Sequence, residues 1–387
     1  MVATINADTT NGVVITSDTS GEIELQANGV TKAKVTANGL QDANGASLRG
    51  GSFRNLIING DMRIDQRNAG ASVTANDYEY YADRWKFLAQ ANGKMSIQQV
   101  TDAPTGFSNS LLFTTTSAYT PPSSAVFAIS QWIEGYNTAH LKFGTANAKT
   151  VTLSFWVKSS LTGTFGGALQ NSAANRAYPF EYTISSANTW EQKTITVSGD
   201  TTGTWVGSTN GTGLKVIFSL GSGATFSDTA GVWSGTSNIY SATGAVQVVA
   251  TASATWNVTG IQLEVGEGAS DFEFLPYDVQ LALCQRYCYQ VNCPQVGTRI
   301  ASAMGDSTTT CNSIWCSPVN LRATPTTSYN NINARNGATD ITLSSIGITI
   351  LADNIINVNF NSSSVVTGAV YQIRGTAVGY VRFDAEL

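Results

Sequence analysis

Val151-Thr152-Leu153-Ser154-Phe155-Trp156-Val157-Lys158 is the stretch on which the fold turns. Val151, Leu153, Phe155 and Val157 point one way and Thr152, Ser154, Trp156 and Lys158 the other, the period-two pattern of a strand with one buried face. The same pattern recurs in Leu214, Val216, Phe218 and Leu220, and in Ile261, Leu263 and Val265 set against Gln262 and Glu264. Between these runs lie turn-rich segments: Ser198-Gly199-Asp200-Thr201-Thr202-Gly203, Ser208-Thr209-Asn210-Gly211 and Gly221-Ser222-Gly223. One buried face per strand, with short links, predicts antiparallel strands in two packed sheets.

Composition agrees. Charged residues make up 12% of the 387 positions, against roughly 25% in ordinary globular chains. Helix surfaces are usually coated with Lys, Glu and Arg, whereas pleated surfaces tolerate Thr, Val and Tyr, so the chain reads as all-β. The length predicts two or three domains. A net charge of −5 without any Lys/Arg run leaves no electrostatic footprint for nucleic acid. No apolar stretch reaches the ~18 residues of a membrane span, and Met1-Val2-Ala3-Thr4 does not begin a signal peptide, so a soluble protein made in the cytoplasm is expected, with no membrane insertion. The five cysteines, all between Cys284 and Cys316, are too few and too clustered for a secreted disulfide framework.

Outside the central strands, residues 1–50 carry a weak repeat, Gln26-Ala27-Asn28-Gly29-Val30 and Thr36-Ala37-Asn38-Gly39-Leu40, with Asn44-Gly45 behind it. Asn-Gly favours a two-residue hairpin turn, so Glu22–Leu25 and Thr31–Val35 are expected as short strands. Such a ribbon has too little apolar surface to pack alone and calls for partner chains, most simply in a homotrimer. A helix is expected from an Asp278 N-cap through Val279 to about Gln290. Beyond it, Ile314-Trp315, Ile341-Thr342-Leu343, the alternating Ile346, Ile348 and Ile350, Ile355–Val358 and Tyr371–Ile373 predict a smaller C-terminal β-sandwich. The expected division is a shaft or attachment segment at 1–50, a sandwich domain at 51–290 and a trimerisation or tip domain at 291–387.

Three places carry a family resemblance: Asn55–Arg67 with Ala82-Asp83-Arg84-Trp85; Leu153–Ser160 with Thr189–Thr194; and Thr259–Gly266 with Phe272–Tyr277 and Leu283–Tyr287. In that order, over residues 53 to 290, they resemble the fibre and tail proteins of tailed bacteriophages and prophages common among marine and cyanobacterial viruses. The ending, Tyr380–Leu387, is similar to the close of such fibres. The resemblance implies a jelly roll like those of carbohydrate-binding modules, trimeric assembly, and partnership with other virion proteins through the N-terminal segment. It implies no catalytic residue set.

Catalytic chemistry finds little support. Glycan hydrolysis needs two carboxylates roughly 5 to 9.5 Å apart. The best clusters are Asp61/Asp65, Asp271/Glu273 and Asp77/Glu79/Asp83. Asp61 and Asp65 could share a strand face, but Arg63 and Arg67 make a surface or inter-strand charge pattern the simpler reading. Asp83-Arg84-Trp85 reads as a buried ion pair beside a core Trp. His140 is the single histidine, which excludes multi-His metal sites and reads as structural. The cysteine spacings lack the two-residue gap of zinc ribbons, so buried free thiols are expected, with Cys311 to Cys316 or Cys288 to Cys293 bridges as alternatives. No cofactor is expected; a structural calcium ion held by loop Asp residues is conceivable but has no spacing motif behind it.

The aromatics say more. Sugar rings present apolar C–H faces, which lectin-like sites meet with Trp or Tyr beside Asn, Asp or Gln. Trp205, Trp233, Tyr240 and Tyr178 sit in turn-rich sequence where strand cores do not need them, and Trp156 points to the polar side of its strand. These five are the candidate carbohydrate-binding residues, with loop anchoring or an inter-subunit contact as the plainer alternative. The expected function is attachment of a trimeric virion fibre to host surface polysaccharide. A purely structural fibre or adaptor is the second reading, and a depolymerising tailspike the third.

Overall fold

The computed structural model describes residues 22–36, 39–43, 53–352 and 354–387. Ile23–Ala27, Val30–Thr36 and Gly39–Asp42 pair as an antiparallel ribbon. Its first turn has Asn28 at φ 52° and Gly29 at φ 71°, the left-handed pair that Asn-Gly favours. The later Asn38 and Asn44-Gly45 turns lie outside the described residues. Leu25, Val30, Val35 and Leu40 are all exposed, so the ribbon has no core of its own.

The central body is two antiparallel sheets face to face. One runs in the order Ala177–Ile184, Gly163–Gln170, Thr212–Ser222, Val126–Glu134, Lys86–Ala89. The other runs Glu191–Val197, Val151–Ser159, Thr255–Val265, Ser110–Thr115, Met95–Val100, Val73–Thr74. The expected inward rows meet between them: Val151, Leu153, Phe155, Val157, Leu214, Val216, Phe218, Leu220, Ile261 and Leu263 are buried in one core. Phe155 and Phe218 meet edge to face at 4.9 Å, and Trp256 packs on Phe113 at 5.6 Å and on Phe218 at 5.9 Å. The all-β pair of packed sheets read from the alternation, and the jelly roll that the resemblance implied, are the observed architecture.

The first and third family-like segments meet at one seam. Thr255–Val265 loses register against Val151–Ser159 between Thr259 and Gln262. Asn55 fills the irregularity: its Nδ2 donates to Ile261 O at 3.1 Å, and its Oδ1 accepts from Ile57 N and Leu263 N. Leu56 N reaches Leu263 O at 2.9 Å and Ile261 N reaches Gly60 O at 3.0 Å. The Asn55–Arg67 segment is therefore a hydrogen-bonded plug of turns. Asp61 and Asp65 do not share a strand face: Asp61 pairs with Arg63, and Asp65 accepts from Asn68 N and Gly70 N.

The C-terminal strands form one eight-stranded antiparallel sheet organised on Val370–Asp384. One half of that long strand pairs with Cys288–Cys293 and the other with Arg299–Gly305, while Thr326–Asn336 flanks both. The sheet wraps a second core containing Trp315, Val358, Phe360, Tyr371, Ile373 and Phe383. Thr327 Oγ1 donates to Ile346 O and Tyr329 Oη to Leu343 O, which draws the two walls of the sheet together.

Two expectations change here. The helix spans Tyr277–Gln285, not as far as Gln290, with Asp278 in its first turn and no side-chain cap. Residues after Arg286 turn into the Cys288–Cys293 strand because the edge of Val370–Asp384 supplies six residues of ladder for them. The cysteines also differ. Cys284, Cys288, Cys293 and Cys311 are buried free thiols as expected, but Cys316 is exposed. Each bridge considered would join residues five apart on one extended strand, roughly 16 Å, beyond disulfide reach.

The last residues of the chain bind back onto the jelly roll. Arg84, held at φ 74°, is almost fully buried and pairs with Glu386 rather than with its neighbour Asp83. It also donates to Trp132 O and stacks 3.4 Å over the Tyr287 ring. Arg67 pairs with Asp384 at 2.7 Å and with Glu386 at 3.2 Å. Arg322 donates to Ala385 O and Glu386 O, both at 2.6 Å, and Tyr80 Oη to Leu387 O at 2.6 Å. Asp83 instead accepts from Gln66 N and Gln66 Nε2. The buried ion pair beside Trp85 is thus real in kind, with its partner at the far end of the chain.

Candidate functional site

Four loops converge at one end of the sandwich. They carry Phe143, Arg176 with Tyr178 behind it, the Ser198–Trp205 segment, and Trp233. Ala177 and Ser234 exchange backbone hydrogen bonds at 3.1 and 2.7 Å, tying the Trp233 loop to the Ala177–Ile184 strand. Gly144 N donates to Asp200 O at 2.7 Å, and a Cβ on Gly144 would crowd Gly203 O and the Trp205 ring, so glycine lets these loops touch.

Three of the five sequence candidates come together there. Trp205 and Trp233 meet edge to face with centroids 5.5 Å apart, and Tyr178 lies 5.3 Å from Trp233. Phe143, which the sequence reading missed, completes the cluster at 5.0 Å from Trp205 and 5.8 Å from Trp233. All four rings are partly buried against the main core. Trp205 Nε1 donates to Asp200 Oδ2 and Thr202 O, both at 3.2 Å, and Trp233 Nε1 to Ser198 O at 2.7 Å. A small cavity of about 40 Å³ opens beside Phe143 and Trp205, between them and the Thr138–Lys142 turn. That turn also exposes His140.

A charged pair underlies the rings. Arg176 grips Asp200 through both carboxylate oxygens, at 2.8 and 2.6 Å, and Asp200 also accepts from Thr202 N and Thr202 Oγ1. Burial alone would raise the Asp200 pKa; the Arg176 and Thr202 hydrogen bonds outweigh it and hold the carboxyl below its ordinary value. A depressed carboxyl stabilises the folded loop above the unfolded pKa and loses that contribution as pH falls through the folded value. Acidification below about pH 4 is therefore expected to loosen this cluster, seen as a red shift of tryptophan emission that Asp200→Asn removes. Asn171 supports the frame by accepting from Asn175 N and Arg176 N, and exposed Asn175, Thr202 and Thr204 line its rim.

The other two candidates lie elsewhere. Tyr240 packs on Phe226 at 5.5 Å, over Leu88, Val126, Ala128 and Ile217 on the outer face of the five-stranded sheet. Trp156 sits on the outer face of the six-stranded sheet, its ring and that of Phe107 flanking Gly260. Within the acid clusters Asp271 is exposed, and other members are engaged internally. Glu273 accepts from Phe53 N and Asn55 N, Asp77 from Ala89 N, and Glu79 from Tyr81 Oη, while burial pushes Asp83 up to about 6. Among the described residues no group of three or more His, Cys, Asp or Glu could hold a metal ion.

No protein-family model and no curated sequence matches the chain. Solved structures similar in outline to it include the enzymatically active domain of tailspike protein 4 of bacteriophage CBA120, at TM-score 0.29 and 12% identity over 55% of this chain and 21% of that one. A family 11 carbohydrate-binding module of Clostridium thermocellum, in complex with a β-1,3-1,4-mixed-linked tetrasaccharide, gives TM-score 0.27 and 12% identity over 52% of this chain and 97% of its own. A family 61 carbohydrate-binding module in complex with β-1,4-galactotriose gives 0.28 and 12% over 55% and 99%. At this level the likeness is one of outline, and what the loop cluster can do rests on its own residues. It offers partly exposed indole rings over a fixed Arg–Asp pair, with amide and hydroxyl groups at the rim. That combination suits a ring with an apolar C–H face and hydroxyl groups at its edge.

Proposed function

We propose that the chain is a subunit of a bacteriophage fibre that attaches to host surface polysaccharide, with the Trp205–Trp233–Tyr178–Phe143 cluster as its sugar platform. The observation that carries this reading is the convergence of three of the five sequence candidates on one loop end, seated on the Arg176–Asp200 pair. The family-like segments support a virion protein, made in the host cytoplasm and assembled with other tail proteins. The exposed apolar residues of the N-terminal ribbon support homotrimeric assembly, since three copies would cover what one leaves open.

A specific observation favours a second reading, a structural fibre or adaptor. Both indole N–H groups are already bonded within the chain, as loop anchors would be. Glycan-array binding separates the two. Trp233→Ala and Trp205→Ala, each losing a stacking surface, are expected to weaken glycan binding by about tenfold to a hundredfold with the fold intact by circular dichroism. Unchanged binding in both variants, or no glycan bound by the intact protein, leaves the structural reading standing. Light scattering tests the assembly, and a monomer at micromolar concentration would count against the fibre.

A further inference from the structure

The outer face of the five-stranded sheet holds a polar row that the loop cluster does not use. Gln170, Lys215 and Trp132 stand side by side on three adjacent strands, and Lys86 follows on the next strand, opposite Ser130. The other half of this face is apolar and covered by Phe226 and Tyr240. In the polar half Gln170 is fully buried, its Nε2 donating to Ile239 O at 3.3 Å. Lys86 and Lys215 are each only 8% exposed, while Tyr78 at the margin is 59% exposed and Trp132 is partly exposed, so the cations lie at the floor of a recess.

Two buried ammonium groups normally bring carboxylates with them. Lys215 has none: its Nζ donates to Gln170 Oε1 at 3.3 Å, and the charged group it senses is Lys86. Lys86 senses Glu386, Asp77 and Asp384, but Glu386 and Asp384 are already bound by Arg84 and Arg67, and Asp77 accepts from Ala89 N. Its own Nζ reaches the oxygen of Leu387 at 3.4 Å. Aromatic rings hold the two cations: Trp132 lies 4.0 Å from Lys86 Nζ and 4.7 Å from Lys215 Nζ, and Tyr78 and Tyr80 lie 4.6 and 5.4 Å from Lys86 Nζ. Trp132 Nε1 has no hydrogen-bond acceptor among the described residues. Burial, and then Lys86 beside it, push Lys215 down to about 8, which is the mark of a cation lacking its counter-charge.

We propose that this recess is a second saccharide site, separate from the loop cluster, that takes the carboxylate of an acidic sugar residue between Lys86 and Lys215. Tyr78, 59% exposed with Lys86 Nζ 4.6 Å from its ring centre, stands at the margin as an aromatic surface for the sugar body. A carboxylate matches the two donors in charge, and a pyranose ring carries it on a rigid frame. The proposal does not depend on the loop cluster binding anything.

The test uses the full chain on an array of glycans bearing glucuronic, galacturonic and sialic acid, each paired with its carboxyl-reduced alcohol. At least one acidic glycan should bind, about tenfold or more tightly than its reduced partner, and raised salt should weaken it. Lys215→Met and Lys86→Met should abolish that preference, Lys215→Arg should keep it, and Trp205→Ala should leave it unchanged. The carboxyl reduction needs no protein variant, so a variant that fails to fold does not blunt the test. The proposal is overturned if no acidic glycan binds, if reduction makes no difference, if the preference survives Lys215→Met in folded protein, or if inorganic phosphate displaces the glycan at equal concentration.

Discussion

Glu386→Gln is expected to destabilise the protein by about 3–5 kcal/mol. The carboxylate it removes is the shared counter-ion of Arg84 and Arg67, whose side chains are 1% and 4% exposed. Without it both guanidinium groups lose charge-assisted hydrogen bonds inside the protein, and water cannot replace them. The loss should also release the Ala385–Leu387 segment, which Arg322 and Tyr80 hold by its backbone oxygens. Chemical denaturation followed by tryptophan fluorescence gives the stability, and limited proteolysis of the released end gives the local opening. The coupling can be isolated by a cycle with Arg84→Met, since the double variant should be more stable than the sum of the singles predicts. An additive pair would mean that Arg84 and Glu386 do not meet.

Gly60→Ala should be about as damaging. A Cβ at Gly60 would overlap the carbonyl oxygen of Ile261, in the seam where Ile261 N also bonds to Gly60 O. Backbone stands on both sides, so neither a rotamer change nor a flexible side chain can give way. The expected cost is about 3 kcal/mol or failure to fold, read as a lowered denaturant midpoint with an unchanged slope if the protein still folds. Gly29→Ala, where open space surrounds the site, should cost only about 1 kcal/mol from its left-handed backbone. A similar cost at both positions would contradict the seam.

These two positions also mark how far the sequence could be read. The sandwich was legible because each central strand buries one face, and the alternation of Val151, Leu153, Phe155 and Val157 follows directly from that. The Asn28-Gly29 turn was legible because its backbone demand is local. What the Asn55–Arg67 segment does was not legible: its residues satisfy an irregularity in a strand about two hundred positions away, and no local pattern carries that information. Arg84 shows the same limit, since the nearby Asp83 looked like its partner and Glu386, 302 positions on, is the one it meets. The helix end was misjudged because propensity after Arg286 yields to the open edge of Val370–Asp384. In the loop cluster, Trp205, Trp233 and Tyr178 stood out as large rings in turn sequence, whereas Phe143 sits in ordinary-looking sequence before Gly144. Lys86, Trp132 and Lys215 gave no signal, because each alone is one more outward residue on a strand.

The sugar platform itself is tested most directly by fluorine NMR on protein in which the eight tryptophans are replaced by 5-fluorotryptophan, titrated with the glycan that binds best on the array. Single Trp→Phe variants assign the resonances. The Trp205 and Trp233 signals should shift with glycan concentration, while those of the fully buried Trp85 and Trp256 stay in place. Shifts confined to other tryptophans, or no shift at saturating glycan, would contradict the loop cluster as the site of attachment.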